Sequence, residues 1–268
     1  DIRGQYRSRP ETLIIDEAAR MAERGVREII LVGQDLTQYG ADIGKPNALP
    51  GLLEKLSEIE PIRWIRVLYC YPSKVTPELI EVIASNPKVV KYVDLPLQHG
   101  DDAMLAAMNR RGSVEQYLRV IDEFRSKCPE IAFRTTFIVG FPGETDMAFD
   151  NLLSFVERIG FDRVGVFPYS REEGTPAAKL KNQVGERVAR ARYDKLMRLQ
   201  QRISLERNQS LIGKTMQVLI EGRTEDGVVG RSYRDAPDID GLVYVRGCDA
   251  DPGSFVDVSI DEASEYDL

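Results

Sequence analysis

Apolar residues over the first 170 positions follow two alternating patterns. Short, nearly continuous apolar runs are typical of strands buried on both faces, and longer segments with apolar residues about every three to four positions are typical of amphipathic helices. The pattern predicts strands at residues 26–32, 64–69, 89–95, 131–139 and 163–167. It predicts helices at residues 10–25, 49–59, 76–85, 102–109, 113–126 and 145–159. Because helices separate these strands, the five strands are expected to be parallel, in an α/β barrel or an open doubly wound sheet.

The pattern changes in the last quarter of the chain. A long amphipathic helix is predicted at residues 185–209, and apolar residues then alternate with polar ones at residues 215–221, 228–231, 242–246 and 255–260. Turn sequences rich in Gly, Asp and Pro separate these four segments. This pattern predicts a small antiparallel β-barrel. We therefore expect two domains, at residues 1–211 and 212–268.

Composition narrows the class of protein. No apolar run is long enough to span a membrane, and the polar, basic start is unlike a signal peptide. Three scattered cysteines, Cys70, Cys128 and Cys248, exclude a disulfide framework and closely spaced metal motifs. Reduced thiols and a cytoplasmic location are expected. The chain does not start with Met, and we expect it to be a piece of a longer protein.

Charge is distributed unevenly. The formal net charge is −7, but the segment from Gly213 to Leu268 holds five basic and thirteen acidic residues and carries −8. An acidic surface repels phosphate, so this segment is a poor nucleic-acid platform. It suits a basic partner, although an acidic face that only aids solubility remains an alternative.

Polar residues occur at the carboxyl ends of the predicted strands, where α/β folds bind ligands. They are Gln34, Asp35, Gln98, His99, Arg134 and Thr136. His99 is either a general base that works near neutral pH or a hydrogen-bonded structural residue, and the sequence leaves both open.

The turn at residues 140–145, Gly-Phe-Pro-Gly-Glu-Thr, joins the fourth strand to the next helix. Gly140 has no Cβ, so a flat ligand could approach its backbone. Thr145 can cap the helix, and the carboxylate of Glu144 suits the positive end of the helix dipole. A tight turn without a ligand would explain the same residues.

Several segments together resemble the radical S-adenosylmethionine (SAM) methylthiotransferases. The matching segments are residues 30–35, 96–100, 108–111, 138–145 and 169–177. The β-rich tail resembles the TRAM domain that ends these enzymes. The resemblance implies a partial radical-SAM (β/α)6 barrel, with five strands present, followed by a TRAM β-barrel.

Two branches of this family compete, one acting on adenosine in tRNA and the other on the β-carbon of an aspartate in small-subunit ribosomal protein twelve. The Gln98-His99 pair, the sequence at residues 172–175 and the tail at residues 230–241 resemble the protein-modifying branch. The acidic tail agrees with a basic protein partner. We therefore expect a ribosomal protein as substrate, with tRNA as the alternative, no membrane partner and a monomeric enzyme.

The resemblance also implies cofactors and their contacts. The intact enzyme would use SAM and two 4Fe-4S clusters, and the cysteine loop that binds one cluster would lie upstream of Asp1, just before the segment that starts at Ile2. This chain's own cysteines would bind no cluster, so the fragment alone is expected to be inactive. The resemblance places Gln34 and Asp35 near the methionine end of SAM, Gln98, His99, Arg134 and Thr136 along its middle, and Gly140, Phe141, Pro142 and Tyr169 beside the adenine. It places substrate docking at Arg231, Tyr233, Asp235, Asp238 and Asp240, and it assigns no catalytic residue.

Two hypotheses that place the chain in another functional class remain. A non-radical barrel lyase would need a Schiff-base lysine, for which Lys74 and Lys91 are the lysines near strands or their ends. A non-catalytic module would bind the ribosomal protein without performing chemistry on it.

Overall fold

The computed structural model describes residues 4–268. Ile2 and Arg3, which belong to the segment expected to follow the cluster loop, lie outside the described residues. No helix between Gly4 and Leu268 is both long enough and apolar enough to cross a membrane.

Helices and strands alternate along the first two thirds of the chain, as the apolar pattern predicts. The α-helices are α1 (Glu11–Glu23), α2 (Leu49–Ser57), α3 (Pro77–Ser85), α4 (Asp102–Ala107), α5 (Val114–Lys127), α6 (Asp146–Ile159) and α7 (Glu186–Gln209). The strands are β1 (Glu28–Leu31), β2 (Trp64–Val67), β3 (Tyr92–Asp94), β4 (Ala132–Val139), β5 (Arg163–Pro168), β6 (Thr215–Thr224), β7 (Gly227–Ser232), β8 (Val243–Arg246) and β9 (Phe255–Ser259).

Side-chain caps fix where four of the helices begin. Thr76, Asp101, Ser113 and Thr145 each accept a hydrogen bond from a backbone N–H in the first turn of α3, α4, α5 and α6, respectively. Such caps satisfy donors that have no partner inside the helix. Each cap follows a strand end or loop, so it also fixes the direction in which the chain leaves the sheet.

The five N-terminal strands are parallel. β1 pairs with β2, and β3, β4 and β5 pair in that order. A parallel bridge between Ile65 and Val89 joins the two sheets. The helices pack on one face, where Phe133 and Phe137 of β4 are fully buried. The α/β fold class with five parallel strands is therefore confirmed.

The opposite face of the parallel strands, here called the inner face, carries polar side chains on β4 and is partly open. Along β4, Arg134, Thr136 and Ile138 are half-buried, and they alternate with the fully buried residues. This alternation follows from the two-residue period of a strand. The strand ends and the inner face together form the region where ligands bind in such folds.

The last four strands form an antiparallel sheet in the order β8-β7-β6-β9. An irregularity in register between Ile220 and Gly222 marks a bulge in β6, and bulges increase the twist that curls a sheet. The concave side holds a small core that includes Met216, Val218 and Val228. This confirms the antiparallel β-rich tail.

Buried polar contacts join the tail to the barrel, and we call this region the joint. Glu28 of β1 accepts hydrogen bonds from Arg66 at 2.8 Å and from Arg231 at 2.6 Å. The other main contacts are ion pairs of Arg163 with Asp235 and of Arg234 with Asp162, both at 2.7 Å, and a 2.7 Å hydrogen bond from the Tyr92 hydroxyl to Asp240. Apolar side chains surround these contacts, including Trp64, Leu68, Leu219 and Ala236. Charged side chains are rarely buried without partners, and here all of these pairs except Arg66–Glu28 join the tail to the barrel.

Candidate functional site

The ends of β4 and β5 bring an aromatic pair to the rim of the inner face. The rings of Phe141 and Tyr169 meet edge to face, with their centroids 5.1 Å apart. The Tyr169 hydroxyl is buried and has no hydrogen-bond partner. A buried hydroxyl without a partner is costly, so this group is suited to receive a hydrogen bond from a bound ligand. Phe167 nearby on β5 is 56% exposed.

The carboxylate of Glu144 is the centre of a buried network behind this rim. It lies 3.0 Å from Nε2 of His99, accepts the backbone N–H of Gly140, and accepts Nη1 of Arg192 at 2.8 Å. Arg192 also pairs with Asp146 at 2.7 Å. The network therefore ties together the end of β3, the turn after β4 and helix α7.

His99 has no solvent exposure, and its Nδ1 is buried without a partner. Of the two interpretations open from the sequence, the hydrogen-bonded structural role matches the contact with Glu144. Sequence reasoning missed this network because Arg192 lies 48 positions from Glu144. One signal was available: Arg192 lies on the same helical stripe as the buried Ala189 and Leu196, where an unpaired charge would be costly.

Gly140 is needed for packing against α7. Its φ is +74°, and a Cβ built on it would lie 2.4 Å from the Cβ of Ala189. The expectation that the missing side chain gives a ligand access to the backbone is therefore corrected, because that space is filled by the helix. The turn still positions Phe141, whose ring is part of the rim.

Gln34 and Asp35 lie at the end of β1. Asp35 is buried, and its carboxylate accepts the backbone N–H of Thr37 at 3.1 Å and the side-chain amide of Gln38 at 2.5 Å. It thus caps the short 3-10 turn Leu36–Gln38. Gln34 is exposed at the same rim, so of these two residues it is the more accessible to solvent.

Arg134 lies between the inner face and the joint. Its Nη1 donates to Asp94 at 3.0 Å, and its Nε lies 3.6 Å from Asp240 of the tail. Burial raises the pKa of Asp94, and the nearby guanidinium of Arg134 opposes that shift. Arg134 therefore lies at the end of the inner face next to the joint. Thr136, two residues further along β4, lies closer to the rim.

Three of the five expected docking residues lie in the joint. Arg231 and Asp235 are buried, and the side chain of Asp240 is 2% exposed. Tyr233 is half-buried and donates to the carbonyl of Glu130 at 3.1 Å. Asp238 is exposed. The expectation that these five residues dock the substrate is therefore corrected for Arg231, Asp235 and Asp240, because their side chains are buried against the barrel.

The described cysteines do not fit an iron–sulfur cluster. Between Gly4 and Leu268 no group of three or more His, Cys, Asp or Glu side chains could hold a metal ion. Cys70 and Cys128 are buried, and burial raises the pKa of both thiols, in the case of Cys128 to about 11. Clusters need thiolate ligands, so no step is assigned to these residues.

The lysines are poorly placed for a Schiff base. Lys91 precedes β3, at the end opposite the rim, and its Nζ donates to the carbonyls of Ile83 and Asn86 at 2.6 and 2.8 Å. Burial lowers its pKa, but its amine is used in capping the end of α3. Lys74 is exposed on a short 3-10 turn. The geometry does not favour a lyase.

Comparison with known proteins decides the family. The model of the radical SAM superfamily matches residues 1–156, and that of the TRAM domain matches residues 212–268. The chain belongs to the radical SAM superfamily. The resemblance seen in the sequence is confirmed, and this membership implies SAM and an iron–sulfur cluster as cofactors.

Curated relatives of this radical SAM chain match its whole length. It is 49% identical to the ribosomal protein uS12 methylthiotransferase RimO of Trichlorobacter lovleyi, covering 100% of this chain and 60% of that protein. It is 51% identical to the RimO of Caldanaerobacter subterraneus subsp. tengcongensis, covering 100% of this chain and 61% of that protein. The chain thus spans about three fifths of the length of these relatives.

Solved structures of other radical SAM enzymes share the fold. Coproporphyrinogen III oxidase (HemN) of Escherichia coli superposes with a TM-score of 0.53 at 16% identity, over 72% of this chain and 46% of that one. The methyltransferase TsrM of Kitasatospora setae gives a TM-score of 0.50 at 16% identity, over 61% of this chain and 32% of that one. At such identities the likeness concerns the fold.

The inner face of the radical SAM barrel fits SAM. Tyr169 packs against the buried ring of Phe141, and its hydroxyl lacks a partner. Thr136 and Gln34 supply polar groups near the strand ends. Gln98 lies beside β4, where its backbone N–H donates to the carbonyl of Thr136 at 2.8 Å. These residues are the candidates among the described residues to hold SAM.

Proposed function

We propose that this chain is the SAM-binding barrel and TRAM domain of an enzyme that methylthiolates the β-carbon of an aspartate in ribosomal protein uS12. The observation that carries the proposal is that proteins named for this activity are 46–51% identical to the chain over its whole length, tail included. When bound, one SAM, reductively cleaved by the cluster, would supply the radical that activates the carbon, and a second SAM would supply the methyl group. We divide the chain at residues 211 and 212, as the sequence pattern suggests.

In this proposal the residues of the chain bind SAM and orient it. Phe141 and Tyr169 contact the adenine, Thr136 and Gln98 border the middle of SAM, and Gln34 faces its methionine end. Holding the reacting atoms close and away from water is a large part of what such a barrel contributes. Two 4Fe-4S clusters are held elsewhere in the protein, so residues 1–268 alone neither bind a cluster nor cleave SAM.

The tail meets the basic substrate through exposed acidic side chains outside the joint. Asp226, Asp238 and Asp257 are exposed and belong to the segment with a net charge of −8. Opposite charge on two surfaces steers their encounter and disfavours an anionic partner such as tRNA. The enzyme works as a monomer in the cytoplasm, where uS12 is found.

The test measures binding of purified uS12 and of total tRNA to the full-length protein at several salt concentrations. We expect uS12 to bind more tightly, with an affinity that falls as salt rises. Reversing the charge of Asp226, Asp238 and Asp257 together is expected to weaken uS12 binding and flatten its salt dependence. Reversing Glu54, Glu58 and Asp122 on the barrel is the control with equal charge change. Tighter binding of tRNA than of uS12 would contradict the proposal.

A further inference from the structure

Two residues at neighbouring strand ends adopt a backbone conformation that their side chains disfavour. Tyr69 follows β2 with a φ of +59°, and Gln98 follows β3 with a φ of +72°. Among the described residues, the other non-glycine positions with positive φ are Asn or Asp, which tolerate this region. For a bulky residue such as Tyr, a left-handed backbone is an outlier. Such outliers persist where the surroundings hold them, and they cluster at ligand sites.

Contacts from both sides hold Tyr69 in this conformation. Its backbone N–H donates to Oδ2 of Asp94 at 3.0 Å, and its carbonyl accepts the N–H of Leu36 at 3.1 Å. The next residue, Cys70, is 1% exposed and donates its N–H to the carbonyl of Asp94 at 2.9 Å. Asp94 is therefore a positioning residue for Tyr69, and Asp94 is itself held by Arg134.

The fold does not need a tyrosine at this position. Tyr69 is 44% exposed, whereas Leu68 and Cys70 on either side are buried. Glycine would satisfy the same backbone without strain. An aromatic side chain kept here at an energetic cost, outside the core, is best explained by a ligand that it contacts.

We propose that Tyr69 contacts the target segment of the protein substrate, an assignment that rests on the proposed function. The residues suited to SAM follow β1, β3, β4 and β5, whereas no SAM contact is assigned to the end of β2, where Tyr69 lies. Tyrosine provides a large, rigid contact area at low entropic cost, as at the centres of protein interfaces. In addition, Asp94 and Arg134 connect the backbone of Tyr69 to Asp240 of the tail. Tyr69 is thus linked, through buried polar contacts, to the domain that is proposed to meet the substrate.

The test compares Tyr69→Phe, Tyr69→Ala and Tyr69→Gly in the full-length protein. The control is Met21→Ala, which removes an exposed apolar side chain near the end of α1. Binding of purified uS12, binding of SAM by equilibrium dialysis and the Tm are measured for each variant. We expect Tyr69→Ala and Tyr69→Gly to weaken uS12 binding about tenfold or more, and Tyr69→Phe and Met21→Ala to stay within about twofold of wild type. SAM binding should be unchanged throughout. The Tm of the Gly variant should exceed that of the Ala variant, because glycine accepts the positive φ.

The outcomes separate the possible failures. If wild type binds uS12 and Tyr69→Ala binds it equally well, the assignment of Tyr69 is overturned while the proposed function stands. Lost SAM affinity with uS12 binding intact would make Tyr69 a cofactor contact and overturn the assignment. A wild-type protein that does not bind uS12 would overturn the proposed function and the assignment with it. A Tyr69→Gly variant with a Tm no higher than that of Tyr69→Ala would contradict the backbone strain at position 69.

Discussion

Replacing Glu144 by alanine should destabilise the barrel strongly. The substitution removes the buried carboxylate that pairs with Arg192, whose own side chain is 8% exposed. Removing one partner of a buried ion pair costs about 3–5 kcal/mol, because the other charge stays buried. The Gly140 N–H and the His99 ring also lose their acceptor, at about 1–3 kcal/mol each if nothing replaces it. These losses overlap, since Arg192 keeps the Glu144 carbonyl and Asp146, and the two retained acceptors lower the ion-pair loss itself, so we expect a total of about 4 kcal/mol, below the simple sum.

Urea unfolding followed by circular dichroism measures this change. The matched control is Asp146→Ala, which removes the other ion-pair partner of Arg192 but a side chain that is 95% exposed. Exposed pairs contribute about 0–1 kcal/mol, so the control should remain close to wild type. A double-mutant cycle with Arg192→Ala should give a coupling energy of more than about 1 kcal/mol between Glu144 and Arg192. If Glu144→Ala were no less stable than Asp146→Ala, the buried network would not hold the turn against α7.

Three further outcomes follow from single contacts. Gly140→Ala should lower the Tm because its Cβ would overlap that of Ala189. Adding Ala189→Gly should restore part of the loss. An unchanged Tm for Gly140→Ala would refute the close approach of Gly140 to helix α7. Asp235→Ala leaves Arg163 of the barrel buried without its carboxylate partner. It should therefore loosen the joint and speed proteolysis between the domains. Equal cleavage rates for wild type and variant would show that this ion pair does not hold the tail. At pH 8, iodoacetamide should label Cys248 at least about tenfold faster than Cys128, because burial raises the pKa of Cys128 to about 11 and leaves little thiolate. The two labelling rates are measured by peptide mass spectrometry, and similar rates would contradict the burial of Cys128.

Local pattern was enough to predict the secondary structure and the site region. The β4 strand illustrates why: Phe133 and Phe137 alternate with Arg134 and Thr136, and this two-residue period separates the helix-packed face from the inner face. The caps at Thr145 and Thr76 are also local, since each acts on its own first turn. Parallel pairing then follows from the order of the elements, and it places the strand ends on one rim.

Contacts between distant residues could not be read from local pattern. The acidic residues of the tail count equally in the net charge, yet Asp235 and Asp240 are buried against the barrel and Asp238 is exposed. Charge counting cannot distinguish them, because burial depends on a partner 72 positions away for Asp235. Gly140 shows the same limit: a glycine at a strand end suits a ligand or a helix, and the position of Ala189 decides between them.

The most direct test of the proposed function is a product measurement. The full-length protein, purified anaerobically with its clusters, is incubated with SAM, a reductant, a sulfur source, uS12 and unmodified tRNA in one reaction. We expect mass spectrometry to find one methylthio group on an aspartate of uS12 and none on tRNA. Methylthiolated adenosine in the tRNA, with uS12 unchanged, would contradict the proposed substrate.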